Sequence, residues 1–337
     1  MARDALPAPQ TNVVLSASAA VFGLALLIQQ SVSNRLAALF LIGTALGIVL
    51  YHSVFGFTSA FRVLLTDGRS AGFRAQLIML GSACLLFFPA LAGGMLFGQP
   101  VAGNVSPVGV SVVFGSFIFG VGMQLGGGCA SGTLFTAGGG SVRMLFTLLF
   151  FIIGSVLGVM HQAWWKALPS IEPVSMVDAL GWLPALALNL SVFALAYFTV
   201  ARIERRRHGE VESISHIKNA SWFHGPWPLL AGGVALALLN FTTLYLSGKP
   251  WGITSAFGLW GGMALQTIGI PVETWPGFAA PAMQKSLNSS LLSDTTSVMD
   301  FGIILGALLA AGLARKFNPV WRIPWPHLAA SVLGGLL

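Results

Sequence analysis

The chain has 337 residues, of which 55% are hydrophobic and only 8% are charged, and its mean hydropathy is +0.81. Soluble domains carry about a quarter charged residues, so this composition excludes a soluble enzyme and predicts an all-α polytopic membrane protein. The formal net charge is +7. The basic residues lie in short segments between apolar runs, where they act as topology signals, so nucleic acid is excluded as a partner.

Apolar runs long enough to cross a bilayer recur along the chain, since a spanning helix needs about 20 residues. They predict transmembrane helices at 13–30, 36–54, 74–97, 107–125, 142–163, 181–202, 226–247 and 299–314, and a ninth that begins near His327. Two shorter runs, at 131–137 and 251–268, predict re-entrant half-helices. The expected architecture is one membrane domain over residues 1–337, with about nine transmembrane helices and short half-helices.

The distribution of basic residues predicts the orientation of these spans. The segment 202–225 contains a cluster that consists of Arg202, Arg205, Arg206, Arg207 and Lys218. Short basic segments stay in the cytoplasm, so we interpret 202–225 as a solvated cytoplasmic linker between a first half, 13–201, and a second half, 226–337. The N-terminus is then cytoplasmic. Four of the 17 basic residues fall outside, namely Arg35, Lys166, Lys249 and Lys285.

A short motif occurs twice, as FGFTSAF at 55–61 and as WGITSAF at 251–257. The first copy follows a span that ends on the predicted cytoplasmic side, and the second follows a span that ends on the outer side. The halves therefore predict an inverted repeat, which in transporters brings broken helices together at a substrate site. The repeated hydroxyls could cap half-helices that point N–H groups at an anion, or could simply cap a helix or bond back to its carbonyls. These residues are Thr58, Ser59, Thr254 and Ser255.

The sequence GGGCASGTLFTA at 126–137 contains a cysteine and four glycines within an otherwise apolar region. Irregular backbone at membrane depth is tolerated only where it is buried in protein or lines a cavity, which favours a substrate path. The alternative is a close helix crossing, which glycines also permit. The predicted path residues of this loop are Gly126, Gly127, Gly128, Cys129, Ser131, Gly132 and Thr133.

The second half lacks a counterpart of this loop. The segment SVVFG at 111–115 recurs as SVLGG at 331–335, and by this match the counterpart of Cys129 would follow Leu337. The last apolar run is also too short to cross a bilayer. Either the protein dispenses with a second glycine–cysteine loop, or, as we expect, the second half is truncated at its C-terminus.

Four residues outside the motifs are interpreted as structural. Cys84 lies in the middle of the third span, where a buried cysteine behaves as a small hydrophobe. Arg62 and Arg143 could attract anions to a cytoplasmic mouth, but the charge bias favours positive-inside anchors. Asp300 could couple protons, as acids inside membranes often do. Its position at the predicted outer end of the eighth span favours a solvated carboxylate at a helix N-terminus.

The loop GGGCASGT and the motif GFTSAFR resemble loops of the YeeE/YedE, or sulphur-transport, family of bacterial inner-membrane proteins. The resemblance implies an hourglass of spanning helices and inward-pointing half-helices, and uptake of thiosulfate or a related sulphur species along a relay of cysteine thiols. By position, Cys129 matches the central cysteine of the relay, whereas Gly56 replaces the first one. A cytoplasmic sulphur-carrier protein is the partner that the resemblance implies.

These observations predict an inner-membrane transporter or channel for thiosulfate or a related small sulphur-containing anion, with the neutral thiol of Cys129 at the pore waist. Two alternatives stay open. The chain could be a membrane-embedded sulphur-handling enzyme in which Cys129 forms a persulfide, which would require a nearby base or resolving thiol. It could instead dock a cytoplasmic sulphur-carrier protein. The sequence has no CxxC, HExxH, Walker loop or Ser-His-Asp spacing, so we expect no metal, no cofactor and no enzyme activity.

Overall fold

Helices form the fold in the computed structural model, which describes residues 9–216, 221–319 and 325–336. Lys218 of the linker and the chain end at Leu337 lie outside the described residues. The helices are α1 (Thr11–Ser31), α2 (Asn34–Ser53), α3 (Phe57–Thr66), α4 (Ala71–Gly93), α5 (Val110–Gly126), α6 (Ala130–Gly138), α7 (Val142–Met160), α8 (Gln162–Lys166), α9 (Met176–Leu180), α10 (Trp182–His208), α11 (Leu229–Ser247), α12 (Thr254–Thr267), α13 (Pro281–Leu287), α14 (Thr295–Leu313) and α15 (Trp325–Gly335).

Short elements occupy the connections. Two 3-10 turns lie at Val272–Thr274 and Leu291–Ser293. Two antiparallel pairs of strands join loops at the ends of the helices. They are β1 (Met95–Leu96) with β2 (Gln99–Pro100), and β3 (Val108–Gly109) with β4 (Ser170–Ile171).

Within the described ranges, eight helical stretches are long and apolar enough to cross a membrane, which confirms the all-α polytopic prediction. Two of them join a long helix to a half-helix: Asn34–Thr66 contains α2 and α3, and Val110–Gly138 contains α5 and α6. The predicted half-helices at 131–137 and 251–268 are α6 and α12. Because α15 has 11 residues and is shorter than a spanning helix, the ninth span stays a prediction.

Glycines allow α2 and α14 to cross with their backbones in direct contact. A β-carbon on Gly306 would lie 2.0 Å from the carbonyl oxygen of Thr44, and one on Gly43 would lie 2.3 Å from a carbonyl oxygen of α14. Small residues four positions apart bring membrane helices this close. Each helix has such a pair, Gly43 with Gly47 and Gly302 with Gly306, so this crossing forms the centre of the bundle.

The same type of contact holds α15 between α5 and α7. A β-carbon on Gly335 would lie 2.2 Å from the carbonyl oxygen of Phe151 in α7, and one on Gly122 of α5 would lie 2.6 Å from the backbone nitrogen of Gly334. Helices of the two halves also pack directly against each other. α2 and α4 of the first half contact α11 of the second, and α2 contacts α14. This arrangement is compatible with the repeat, whose inverted relation stays a prediction.

One residue of the basic linker, Glu204, is the centre of a buried ion-pair network on α10, while Arg202, Arg205, Arg206 and Arg207 are exposed. Glu204 is fully buried, and its carboxylate accepts hydrogen bonds from the backbone N–H of Glu212 (3.1 Å) and from the backbone N–H (3.1 Å) and hydroxyl of Ser70. The carboxylate also pairs with Arg69 at 3.4 Å and with Arg74 at 3.6 Å. The network ties the connection between α3 and α4 to the end of α10.

Replacing Glu204 by alanine is expected to lower the free energy of unfolding by about 3–5 kcal/mol, because Arg74 would then be buried without its carboxylate. The change is measured by heating the detergent-solubilised protein to a series of temperatures and quantifying the remaining folded fraction by size-exclusion chromatography. The matched control is Glu210→Ala, since Glu210 is exposed. Surface substitutions of this kind usually stay within about 0.5 kcal/mol. Equal unfolding curves for the two variants would contradict a structural role of the network.

Candidate functional site

The glycine–cysteine loop is a break between α5 and α6. Gly127 has a φ of 82°, which turns the chain out of α5. Cys129 is the residue before α6, and its Sγ accepts a hydrogen bond from the backbone N–H of Gly132 at 3.4 Å and lies 3.4 Å from the Oγ of Ser131. Cys129 is 9% exposed. The cysteine predicted to lie on a substrate path is therefore the N-cap of a half-helix, at the end where free N–H groups favour an anion.

Replacing Gly127 by alanine is expected to destabilise the loop by about 1–2 kcal/mol, since a side chain is strained in the left-handed conformation. The control is Gly93→Ala, where no neighbouring atom lies within 4 Å of a new β-carbon and φ is not positive. Thermal unfolding of the two variants in detergent tests the difference. Identical transition temperatures would show that the backbone of this loop is not constrained.

Thr133 is fully enclosed within the loop motif. It has no solvent exposure, and among the described residues its Oγ1 has no hydrogen-bond partner. The hydroxyl lies over Gly128, because a β-carbon on Gly128 would be 3.1 Å from it. Buried hydroxyls are nearly always paired, so an orphaned one marks a position that another polar group can occupy. Gly126 lies at the other side of the break, where a β-carbon would be 3.3 Å from the Oγ of Ser331.

A cavity of about 640 Å³ lies between α5, α7, α12 and α15. Ala130, the first residue of α6, lines it, as do Thr254 and Ser255 of the second TSAF motif. No charged side chain is found among the described residues of its lining. Its polar side chains are Ser111, Ser116, Ser155, Gln162, Thr254 and Ser255. The structure therefore brings the second motif and the first residue of α6 to one uncharged cavity, whose lining is mostly apolar. The predicted loop residues themselves are not among the lining: Gly126, Gly127, Gly128, Cys129, Ser131, Gly132 and Thr133.

The first TSAF motif lies apart from this cavity, since Thr58 and Ser59 are not among its lining residues. Gln124, near the end of α5, donates a hydrogen bond from its amide to the carbonyl of Thr58 at 3.2 Å. Arg62 donates to the backbone carbonyl of Gln124 at 2.7 Å and to its side-chain oxygen at 3.3 Å. The interpretation of Arg62 as a simple anchor did not include these hydrogen bonds, which join α3 to the last turn of α5.

Of the two roles left open for the TSAF hydroxyls, side-chain capping is not found, whereas Ser59 bonds back to a carbonyl of the preceding turn. Neither α3 nor α12 has a side-chain cap, because Thr58 and Ser59 lie within the first turn of α3 and Thr254 begins α12. Ser59 donates its hydroxyl to the carbonyl of Gly56 at 3.1 Å. Ser255 donates to the hydroxyl of Thr296 at 3.2 Å. The buried Oγ1 of Thr58 has no partner among the described residues, which leaves it available to a ligand.

Arg143 lies against the glycine loop. Its Nη2 would be 3.6 Å from a β-carbon on Gly127, and its residue is only half-buried. The ion pairs found in the described part of the chain involve Arg69 and Arg74 with Glu204, and not Arg143. The loop therefore has an uncompensated positive charge beside it. The described residues also include no cluster of three or more His, Cys, Asp or Glu side chains that could hold a metal ion.

Comparison with known proteins agrees with the loop motifs. The family model described as sulphur transport matches residues 52–337. The chain belongs to the sulphur-transport family. It is 29% identical to the thiosulfate transporter TsuA of Spirochaeta thermophila over 88% of this chain and 84% of that protein. It is 31% identical to the thiosulfate transporter TsuA of Escherichia coli over 88% of this chain and 80% of that protein.

A more distant relative matches a shorter part of the chain. The probable transporter YedE of Salmonella typhimurium is 26% identical over 51% of this chain and 42% of that protein. The family and these relatives, together with the apolar helices, identify a multi-pass membrane protein of a transporter family.

Proposed function

We propose that this protein takes up thiosulfate, or a related small sulphur-containing anion, across the bacterial inner membrane. The observation that carries the proposal is the cavity that reaches Ala130, next to Cys129 at the N-terminus of α6. Membership of the sulphur-transport family and similarity to two proteins named thiosulfate transporter support the substrate class.

In the proposed orientation the N-terminus is cytoplasmic and the cavity opens to the periplasm. This follows from the positive-inside rule, since the cavity includes the start of α5 and the end of α7, which the charge bias assigns to the outer side. The segments 13–201 and 226–337 then act as the two halves of an inverted repeat. Thr254 and Ser255 receive the anion from outside, and Thr58 and Ser59 lie on the path beyond the glycine loop.

The glycine–cysteine loop forms the waist of this path. A permeation site must replace the water around the ion without holding it so tightly that it cannot leave. The thiol of Cys129 is a weak donor that suits brief contact with a soft sulphur atom, and its neutral form does not repel an anion. Stronger donors stand beside it. They are the hydroxyls of Ser131 and Thr133 and the backbone N–H groups of Gly128, Ala130 and Ser131. The N–H groups of Gly127 and Gly132 already donate to Met123 and to the Sγ of Cys129.

A growth experiment tests the proposal. A bacterium that depends on thiosulfate as its sulphur source and lacks its own uptake systems is supplied with the chain, with Cys129→Ala or with Cys84→Ala. We expect growth from the unmodified chain and from Cys84→Ala, because Cys84 lies in α4, away from the loop. Growth should vanish with Cys129→Ala.

Two outcomes would contradict parts of the proposal. Equal growth from the unmodified chain and from Cys129→Ala would remove the thiol from the mechanism. No growth from a well-expressed, correctly inserted unmodified chain would argue against thiosulfate as the substrate. Uptake of radiolabelled thiosulfate by the same cells separates failure of transport from failure of later metabolism.

A further inference from the structure

Asp300 is fully buried in α14, so its interpretation as a solvated helix-terminal carboxylate is wrong. Among the described residues, neither of its carboxylate oxygens has a hydrogen-bond partner. Removing a carboxylate from water without a partner is costly, and such groups persist inside membrane proteins mainly where they function. Asp300 is therefore the strongest candidate for a functional group outside the loop.

In the part of the chain that the structure describes, no cation forms an ion pair with Asp300. α14 packs against α1, α2, α6 and α12. The titratable side chains on these helices and at their caps are Arg35, Tyr51, His52 and Cys129. Arg35 is exposed, and Tyr51 lies at the far end of α6, against Gly139. His52 lies beside Gly225, and the other acid near Asp300 is Asp294, the N-cap of α14.

Asp300 lies beside the half-helix that begins at the glycine–cysteine loop. A β-carbon on Gly138 would touch Ile304, and one on Gly140, further along the chain, would touch Phe317. The segments that follow α6 and α14 therefore meet, which indicates that the two helices run in the same direction. One turn back from Ile304 is Asp300, and one turn back from Gly138 is Leu134. The acid is therefore level with the first turns of α6.

Hydroxyl groups connect the cavity to the turn that precedes Asp300. Ser255 lines the cavity and donates to the hydroxyl of Thr296 at 3.2 Å. The adjacent Ser297 donates its hydroxyl to the carboxylate of Asp294 at 2.7 Å and accepts from the indole N–H of Trp260 at 2.8 Å. Ser297 and Asp300 are neighbours three positions apart on α14, and Asp294, three positions before Ser297, is the N-cap of the helix.

We propose that Asp300 is a proton-binding site that couples inward movement of the anion to inward movement of a proton; this rests on the proposed function. The carboxylate takes a proton from water in the cavity and later releases it to water on the cytoplasmic side, so the residue returns to its starting form. An inside-negative potential opposes passage of a dianion, and each proton carried with it cancels one charge. Burying the neutral carboxylic acid also costs much less free energy than burying the charged carboxylate.

Reconstitution of the full chain in liposomes tests this coupling. Radiolabelled thiosulfate is supplied outside, the membrane potential is clamped at zero with valinomycin and potassium, and the internal pH is set above the external pH. With one proton per anion, a difference of about one pH unit supports roughly tenfold accumulation. We expect this in the unmodified protein and in Asp178→Asn, whose side chain is exposed on α9, and no dependence on the pH gradient in Asp300→Asn.

The outcomes separate this proposal from the proposed function. Thiosulfate exchange by the unmodified protein without any gradient tests the path alone, and its absence would defeat the proposed function. Proton coupling would be overturned if the protein exchanges thiosulfate but accumulates it only in response to a sodium gradient. It would also be overturned if no ion gradient drives accumulation. Accumulation by Asp300→Asn that follows the pH gradient would overturn it as well. If Asp300→Asn does not insert, the external pH trace of the unmodified protein decides, because coupled uptake must make the outside more alkaline.

Discussion

Replacing Gly306 by leucine is expected to leave little folded protein in the membrane. A β-carbon at this position would lie 2.0 Å from the carbonyl oxygen of Thr44 and 2.8 Å from its carbonyl carbon. These are backbone atoms of a packed helix and cannot rotate away as a side chain can, so α2 and α14 would have to separate. Overpacking of a core costs about 1–3 kcal/mol and occasionally more, and we place Gly306→Leu at roughly 3 kcal/mol or above.

The matched control for this prediction is Gly23→Leu. Gly23 lies in α1, where no neighbouring atom is within 4 Å of a new β-carbon, so the same change adds a side chain without displacing a helix. Fluorescence-detected size-exclusion chromatography of detergent extracts compares the monodisperse fraction of each variant. A sharp, undiminished peak from Gly306→Leu would contradict the close crossing. A loss with both variants would instead indicate a general intolerance of larger side chains.

Sequence patterns predicted the spans and the loop because each depends on local composition. Membrane helices require about 20 apolar residues wherever they occur, and the span expected at 142–163 begins where α7 begins, at Val142. Glycines interrupt helices through their own backbone freedom, so the break before α6 was also visible. Gly127 with its positive φ is the physical cause of that break.

Side-chain environments could not be predicted in this way, because they depend on helices that are distant in the chain. Asp300 is near the start of its span, and sequence position alone favoured solvation. It is buried instead, in a helix that packs against α1, α2, α6 and α12. Glu204 is next to a run of arginines in the sequence, which suggests a solvated charge. Its actual partners, Arg69 and Ser70, are more than 130 positions away. The role of Cys129 as the cap of α6 was a local feature, but cysteine is not among the usual N-cap residues.

Charge reversal at Arg143 is expected to reduce thiosulfate uptake at least 100-fold, since it puts a negative charge beside the waist of the proposed path. The guanidinium lies against Gly127, and no ion pair to it is found in the described part of the chain, so its charge acts on the loop without compensation. Two unit charges 4 Å apart near a protein surface interact by about 4 kcal/mol, and Arg143→Glu turns this attraction into repulsion. Arg143→Gln, which only removes the charge, should have a smaller effect.

The control for Arg143 is Arg206→Glu, which makes the same change in charge on an exposed residue of α10. Initial rates of radiolabelled thiosulfate uptake are compared at low and at high salt, with the amount of inserted protein measured in parallel. A simple positive-inside anchor would give normal rates in Arg143→Glu once the protein is inserted, and that result would contradict the electrostatic role. If the charge acts on the anion, the uptake rate should be highest in the unmodified protein, lower in Arg143→Gln and lowest in Arg143→Glu. Steric or folding defects would not follow the sign of the charge in this way.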